Sequence, residues 1–364
     1  MYFETNLLKA LTQPIVAMKK IIGFLLLTLL FACSRPAQTL FVGTYSDGFF
    51  AFDYPSGELI AKAEMPNPSF LALNGNRVYA VSEMPDSSAS VWAWRFAGNG
   101  FDLLGKQPTG LPRQGEDPCH VATDGNLLAV SNYSGGTLGL YRLESDGGIG
   151  PLDSLVVSGT GGPDLSRQGT PHVHCAAFTP DGKHLIFSEF SADALGMLDI
   201  RGKVSNYRIA AHLPADFGPR HLLFNRAGDR LYVIGELSGD VAVFEYAAGR
   251  LEMKQVVKAD EVDARGAADI HLSPDGKFLY ASLRLKNDGI AIFKVHPDGT
   301  LEKCGYQQTG PHPRNFLVTE KEVLVACRDN DSIEIYTRNP RTGALQDTGR
   351  RIHAPKPVFV GLHL

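Results

Sequence analysis

Two tryptophans and five cysteines are all that 364 residues contain, and no basic excess accompanies them: 35 Lys and Arg stand against 39 Asp and Glu. The formal charge of −4 removes the electrostatic footprint of a nucleic-acid binder. No two cysteines form a C-x-x-C pair, which excludes the signatures of zinc ribbons and thioredoxin-type redox motifs. Beyond residue 33 no apolar run approaches the ~20 residues needed to cross a bilayer, and no stretch competes as an amphipathic helix. The signatures G-x-S-x-G, H-E-x-x-H and the P-loop are missing as well. What is there is a chain with 38 Gly, 22 Pro and a 44% hydrophobic fraction. That is too apolar for disorder and long enough for a substantial core.

The N-terminus stands apart. Met18-Lys19-Lys20 is a short basic region, Ile21 to Phe31 is apolar, and Leu30-Phe31-Ala32-Cys33 ends the stretch with a small residue before a cysteine. This reads as a bacterial lipoprotein signal with Cys33 lipidated and Met18 as the true start; an ordinary signal peptide or an uncleaved anchor is the alternative. Residues 1–33 are therefore set aside from fold reasoning, leaving 34–364 as one domain in the cell envelope, facing the periplasm. Cys119, Cys175, Cys304 and Cys327 remain and read as buried thiols, although export would permit disulfides.

Internal repetition carries the fold. One unit recurs as a short apolar strand, a turn, two more strands, and a glycine-centred turn into a fourth. Its clearest copy runs Ile270-His271-Leu272, Ser273-Pro274-Asp275-Gly276, Phe278 to Ser282, Gly289 to Phe293, Pro297-Asp298-Gly299 and Leu301. Pro, Asp and Gly between β-rich runs are what tight hairpins require. The last turns fall at Gly57, Gly100, Gly148, Gly202, Gly249, Gly299 and Gly343, spaced 43 to 54 residues apart. First strands begin near Phe70, His120, His174, His221, Ile270, Asn315 and Val358. Both series reach seven, with the spacing of four-stranded propeller blades. Residues 39–45 lack a first strand and residues 357–362 lack a second, so the two ends complete one blade. The chain is expected to be all-β, a seven-bladed β-propeller closed by its termini.

In such a ring the entry of strand one and the exit of strand two share a mouth, because the two strands are antiparallel. Entries carry Pro118-Cys119-His120, Pro171-His172-Val173-His174, Pro219-Arg220-His221, Asp269-Ile270-His271 and Pro313-Arg314-Asn315; exits carry Glu83, Asn132-Tyr133, Glu189, Glu236, Arg284 and Arg328. Bases and cations gathered there suit a small, oxygen-rich anion. His172 and His174 share a strand face but have no identifiable third ligand, so no metal is expected. Tyr133, Trp92 and Trp94 read as packing residues, and Gly159-Thr160-Gly161-Gly162, without a following lysine, as a blade connection.

These motifs resemble a known family, the seven-bladed propeller lactonases of the bacterial 6-phosphogluconolactonase group, which includes the fungal 3-carboxy-cis,cis-muconate lactonizing enzymes. The resemblance rests on Asn67-Pro68-Ser69-Phe70-Leu71, Pro118-Cys119-His120-Val121, Ser131 to Gly136, Arg167-Gln168, Pro171 to His174, Gly218 to Leu222, Glu236-Leu237-Ser238-Gly239, Ala268 to His271 and Pro313 to Phe316. It implies His172, Arg220, Glu236 and Arg284 as catalytic residues, with His120, Asn132, His174 and Arg314 binding substrate and no cofactor. The implied activity is hydrolysis of a sugar-derived lactone by a monomer, with Glu236 or His172 as base. Alternatives are lactonisation of a muconate-like diacid, or a non-catalytic envelope propeller that binds a glycan fragment or protein. Export sits awkwardly with phosphogluconolactone, a cytoplasmic metabolite, and a cytoplasmic location, as in the family's reference members, is the other possibility. Replacing Cys33 with Ala should release the protein from membranes without altering its fold. Equal partitioning of the variant and wild type in a fractionation assay would overturn the anchor.

Overall fold

Short apolar runs separated by Pro-Asp-Gly turns leave the backbone one economical solution, the antiparallel four-stranded meander. A computed structural model describes residues 38–201 and 205–363; the signal region with Cys33 and the turn glycine Gly202 lie outside the described residues. Seven four-stranded sheets form, each paired only within itself. Inner strands Leu71–Asn74, Pro118–Thr123, Val173–Phe178, Pro219–Phe224, Ala267–Leu272, Pro313–Val318 and Pro357–His363 head blades 1 to 7. Second strands are Arg77–Ser82, Leu127–Asn132, His184–Glu189, Arg230–Gly235, Phe278–Leu283, Glu322–Cys327 and Gln38–Thr44. The observed inner strands start within three residues of the expected positions.

Blade 7 contains both ends of the described chain. Pro357–His363 pairs antiparallel with Gln38–Thr44, from Thr39 opposite His363 to Thr44 opposite Pro357. A free edge at this place would expose unpaired backbone groups.

Burial falls between blades rather than within them. One buried cluster sits at each junction, such as Leu40, Val42, Ile333 and Ile335 between blades 7 and 6, and Val81, Val91, Leu128 and Val130 between blades 1 and 2. Each such side chain contributes about 1.5–3 kcal/mol by leaving water. Hydrogen bonds repeat the same stitch: Tyr79, Tyr232 and Tyr280 donate to the turn carbonyls of Gly147, Gly299 and Gly343 in the next blade, at 3.1, 3.0 and 2.9 Å. Gly299 must be glycine for two reasons. Its φ is +84°, and an added Cβ would sit 2.7 Å from the Arg230 side chain.

Two expectations change. Cys304 is exposed, because it lies on the outermost strand of blade 5, while Cys119, Cys175 and Cys327 are buried free thiols. Glu189 is wholly buried and faces away from the mouth, accepting hydrogen bonds from Ser158 Oγ, the Gly159 amide and the Tyr207 hydroxyl.

Deleting residues 357–363 should remove buried Val358, Phe359 and Val360 and open two sheet edges. Loss of a cooperative thermal transition, or aggregation in light scattering, is the expected outcome. Unchanged melting and solubility would contradict this closure.

Candidate active site

Alternation along a strand would send neighbouring residues to opposite faces. The inner strands escape this rule at their entries. In blades 2 to 6 one extra residue is inserted there: Pro219 pairs with Gly235 but Leu222 with Val233, and Ala267 pairs with Leu283 but Ile270 with Ala281. The same irregularity lies between Pro118 and His120, Val173 and Ala176, and Pro313 and Asn315. A bulge re-aims side chains, and consecutive residues such as Arg220 and His221 are both drawn to the axis.

The result is a cavity of about 220 Å³ at the expected mouth, to which every blade contributes. Its lining is Tyr45, Glu83, Cys119, Tyr133, Arg167, His174, Glu236, Arg284 and Arg314. Glu236 is its hub. Oε1 accepts from Arg167 Nη2 at 2.7 Å, and Oε2 accepts from Arg220 Nε at 2.8 Å with Arg284 Nη2 at 3.2 Å. Burial alone would raise the carboxyl pKa, but the charges of Arg284, Arg220 and Arg167 outweigh it and hold it at about 2. Burial, with Arg220 and Arg314 nearby, pulls Arg284 down to about 9, against the opposing effect of Glu236; it remains a cation at neutral pH.

Across the cavity, Tyr45 donates to Glu83 Oε1 at 2.8 Å, and the Arg314 guanidinium lies 5.1 Å from the Tyr45 ring centre and 3.9 Å from the same oxygen. Glu83 Oε2 and His174 Nδ1 have no hydrogen-bond partner in the protein. Burial and the adjacent Arg220 depress the pKa of His174, which stays neutral. Unpaired buried polar atoms of this kind call for a hydroxyl-bearing ligand or water.

Beneath the cavity a second carboxylate ties the blades together. Asp269 Oδ1 accepts from His221 Nδ1 at 2.6 Å and the Ile270 amide at 2.9 Å, and Oδ2 accepts from Asn315 Nδ2 at 2.6 Å and His271 Nε2 at 2.9 Å. Burial would raise its pKa, yet the two imidazoles hold it well below the usual carboxylate range. Burial and Arg220 bring His221 to about 4 despite Asp269, whereas Asp269 overcomes burial to raise His271.

Of the expected site residues, Glu236, Arg284, His174 and Arg314 line the cavity. Arg220 lies directly behind Glu236, 1% exposed, with Nη1 on the Ala268 carbonyl. His172 does not line it: its ring stacks on Tyr133 at 4.1 Å, and Nδ1 donates to the Tyr133 carbonyl at 2.8 Å, leaving Nε2 near Thr170 Oγ1 at 3.3 Å. His120 lies deeper, its ring tilted against Phe70 with centres 4.4 Å apart and Nε2 3.4 Å from Cys175 Sγ. Asn132 is fully buried and serves its own loop, donating to the Thr109 carbonyl and Thr137 Oγ1, both at 2.9 Å. Arg328 pairs with its neighbour Asp329 at 2.6 Å. Tyr133, expected to pack, lines the cavity, because the exit of strand two turns its ring to the axis; Trp92 and Trp94 do pack, stacked 5.8 Å apart. Tyr45, Cys119 and Arg167 were not foreseen in the site. The strand-exit rule reaches Tyr45 and the strand-entry rule Cys119, but Arg167 comes from a blade connection that no strand periodicity covers. Among the described residues no cluster of three or more His, Cys, Asp or Glu is arranged to hold a metal.

A ring of seven blades whose axial mouth carries four guanidiniums around two carboxylates defines the class, a propeller with a cationic small-molecule site. The chain belongs to the seven-bladed β-propeller lactonase family, whose model matches residues 39–362. A Formosa agariphila protein named 6-phosphogluconolactonase is 33% identical over 336 residues, covering 84% of this chain and 94% of its own. A Bacteroides uniformis structure, crystallised as a candidate 6-phosphogluconolactonase, superposes with TM-score 0.86 at 44% identity, covering 90% of this chain and 100% of that one. The Pseudomonas aeruginosa periplasmic gluconolactonase gives TM-score 0.80 at 25% identity, covering 89% and 98%.

Asp269→Asn would turn an amide NH₂ toward donors, and breaking such a buried network costs about 3–5 kcal/mol. Because the pKa of Asp269 is depressed in the fold, its share of stability is present above the unfolded carboxylate value and fades as pH falls through the folded one. The pKa of His271 is raised, so its share fades as pH rises through its folded value. Chemical denaturation should show the widest gap between wild type and variant at about pH 5–6. A gap that is flat across pH would contradict the charge pairing.

Proposed function

We propose that the protein hydrolyses a sugar-derived lactone bearing a carboxylate or phosphate. The observation that carries this reading is the convergence of Arg167, Arg220, Arg284 and Arg314 on two carboxylates in and around one 220 Å³ cavity. The excess of positive charge favours an anion, and the volume, below the roughly 300–1,000 Å³ of drug-sized pockets, suits a small metabolite. Unpaired Glu83 Oε2 and His174 Nδ1 can accept from sugar hydroxyls.

Water attacks the ring carbonyl while Glu236 takes its proton. Arg284, which lines the cavity, faces the developing oxyanion. The ring C–O bond then breaks, Glu236 returns the proton to the leaving oxygen, and the open hydroxy acid loses its own proton to solvent. Arg220 holds Glu236 in place, and Arg314 receives the substrate's anionic group. No covalent nucleophile is needed, in keeping with the missing serine motif. Relatives named as gluconolactonases favour hydrolysis over the reverse lactonisation of a diacid.

The signal at Met18–Cys33 and the likeness to a periplasmic gluconolactonase support an envelope location on a lipid anchor.

Glu236→Gln keeps the size and removes the base, so kcat should fall about 10²–10⁴-fold with KM little changed. Arg284→Ala should damage both terms, since a cation serves the ground state and the transition state. Steady-state kinetics on glucono-δ-lactone, 6-phosphoglucono-δ-lactone and a glucarate lactone separate the cases. Near wild-type turnover by Glu236→Gln would overturn Glu236 as the base, and full turnover by His172→Ala as well would dismiss the site.

A further inference from the structure

The three cations on Glu236 are not equivalent. Arg220 and Arg284 are 1% and 6% exposed at the side chain, and both are fixed to backbone carbonyls, Arg220 to Ala268 and Arg284 to Gly266 and Ala267. Neither can leave Glu236 without breaking these buried bonds as well. Arg167 is 36% exposed. Besides Glu236, among the described residues its guanidinium bonds the Tyr133 hydroxyl, at 3.3 Å, and lies over the face of Phe190.

Its backbone, by contrast, is firmly held. Arg167 sits on the single-turn helix Leu165–Gln168, which Asp164 caps. Arg265 clamps Asp164 at 2.8 Å and Asp216 at 2.6 Å, and buried Gln168 donates to Asp193 Oδ1 at 2.8 Å. A fixed base with an exposed guanidinium head, reaching into the cavity from a blade connection, can exchange partners without moving the chain.

We propose that Arg167 is a substrate-operated latch on Glu236: an anionic lactone takes its guanidinium, frees Oε1 toward the cavity, and so selects itself over neutral lactones. This rests on the reading of Glu236 as the base. While the latch is closed, one carboxylate oxygen is occupied and three cations suppress its basicity. When the latch opens, Arg220 and Arg284 still orient the carboxylate, but the third cation now serves the ligand. The other charged or titratable groups near Glu236 are Arg314 of blade 6, Tyr133 at the exit of blade 2 and His172, stacked on Tyr133, at the entry of blade 3.

The test compares wild type, Arg167→Gln and Arg167→Ala on 6-phosphoglucono-δ-lactone and glucono-δ-lactone, with Glu236→Gln alongside and melting temperatures recorded for all. Wild type should prefer the phosphorylated lactone. Both Arg167 variants should lower that preference about 10- to 100-fold, the reach of one charge-assisted hydrogen bond, in part because kcat/KM for the neutral lactone rises once Oε1 is free. Removing a cation raises the pKa of Glu236, so the acid limb of kcat/KM for the neutral lactone should move to higher pH in both variants. An unchanged substrate ratio and an unchanged acid limb, with Glu236→Gln inactive, would sink the latch and leave the base assignment standing. An active Glu236→Gln would remove both, and a wild type indifferent to the phosphate would refute the selection.

Discussion

One buried carboxylate holds the centre of this ring. Asp269 belongs to blade 5, yet it accepts from His221 of blade 4, from Asn315 of blade 6 and from its own neighbour His271. Asn315 passes the connection on, accepting from the Val360 amide of the closing blade at 2.8 Å. Four blades are thereby tied at the axis by bonds to charged or amide groups out of water, where a satisfied network is rigid and a broken one expensive. The apolar junctions supply most of the burial, and the axial network adds directional bonds between blades 4, 5, 6 and 7 at the strand entries.

Above that network the site is built from electrostatic conflict. Four guanidiniums around two carboxylates in a buried space repel one another, and burial lowers the pKa of Arg220 and Arg284. Such an arrangement persists because Glu236 satisfies three cations at once, backbone carbonyls take further donors of Arg220 and Arg284, and Arg314 lies against Glu83 and the Tyr45 ring. The same contacts make Glu236 a poor base at rest. In the proposed latch, a ligand that redistributes the positive charge links substrate charge to the reactivity of this carboxylate.

The short helix carrying Arg167 shows why the connections matter as much as the strands. Its cap Asp164 is held by Arg265, which also grips Asp216, so three blade connections are joined by ion pairs. The connection that carries Arg167 thereby adds a wall to the cavity that the strands do not supply.

The repeat itself was legible in the chain. Period-two apolar runs, turn residues at nearly constant spacing and a strand-like segment at each end dictated seven blades and their closure, because these are local properties of backbone and turn chemistry. Strand direction alone then brought Glu236, Arg284, His174 and Arg314 to one mouth. The rest needed the fold. Nothing in the local pattern announces a bulge at the strand entries of blades 2 to 6, so the pairing of Arg220 with Glu236, the recession of His120 and the inward turn of His221 could not be read from alternation. Nor could the withdrawal of Asn132 into its own loop, or the arrival of Arg167 from a connection with no periodicity. Repetition fixes which residues approach the axis; side-chain packing, inserted residues and long-range ion pairs decide which of them meet.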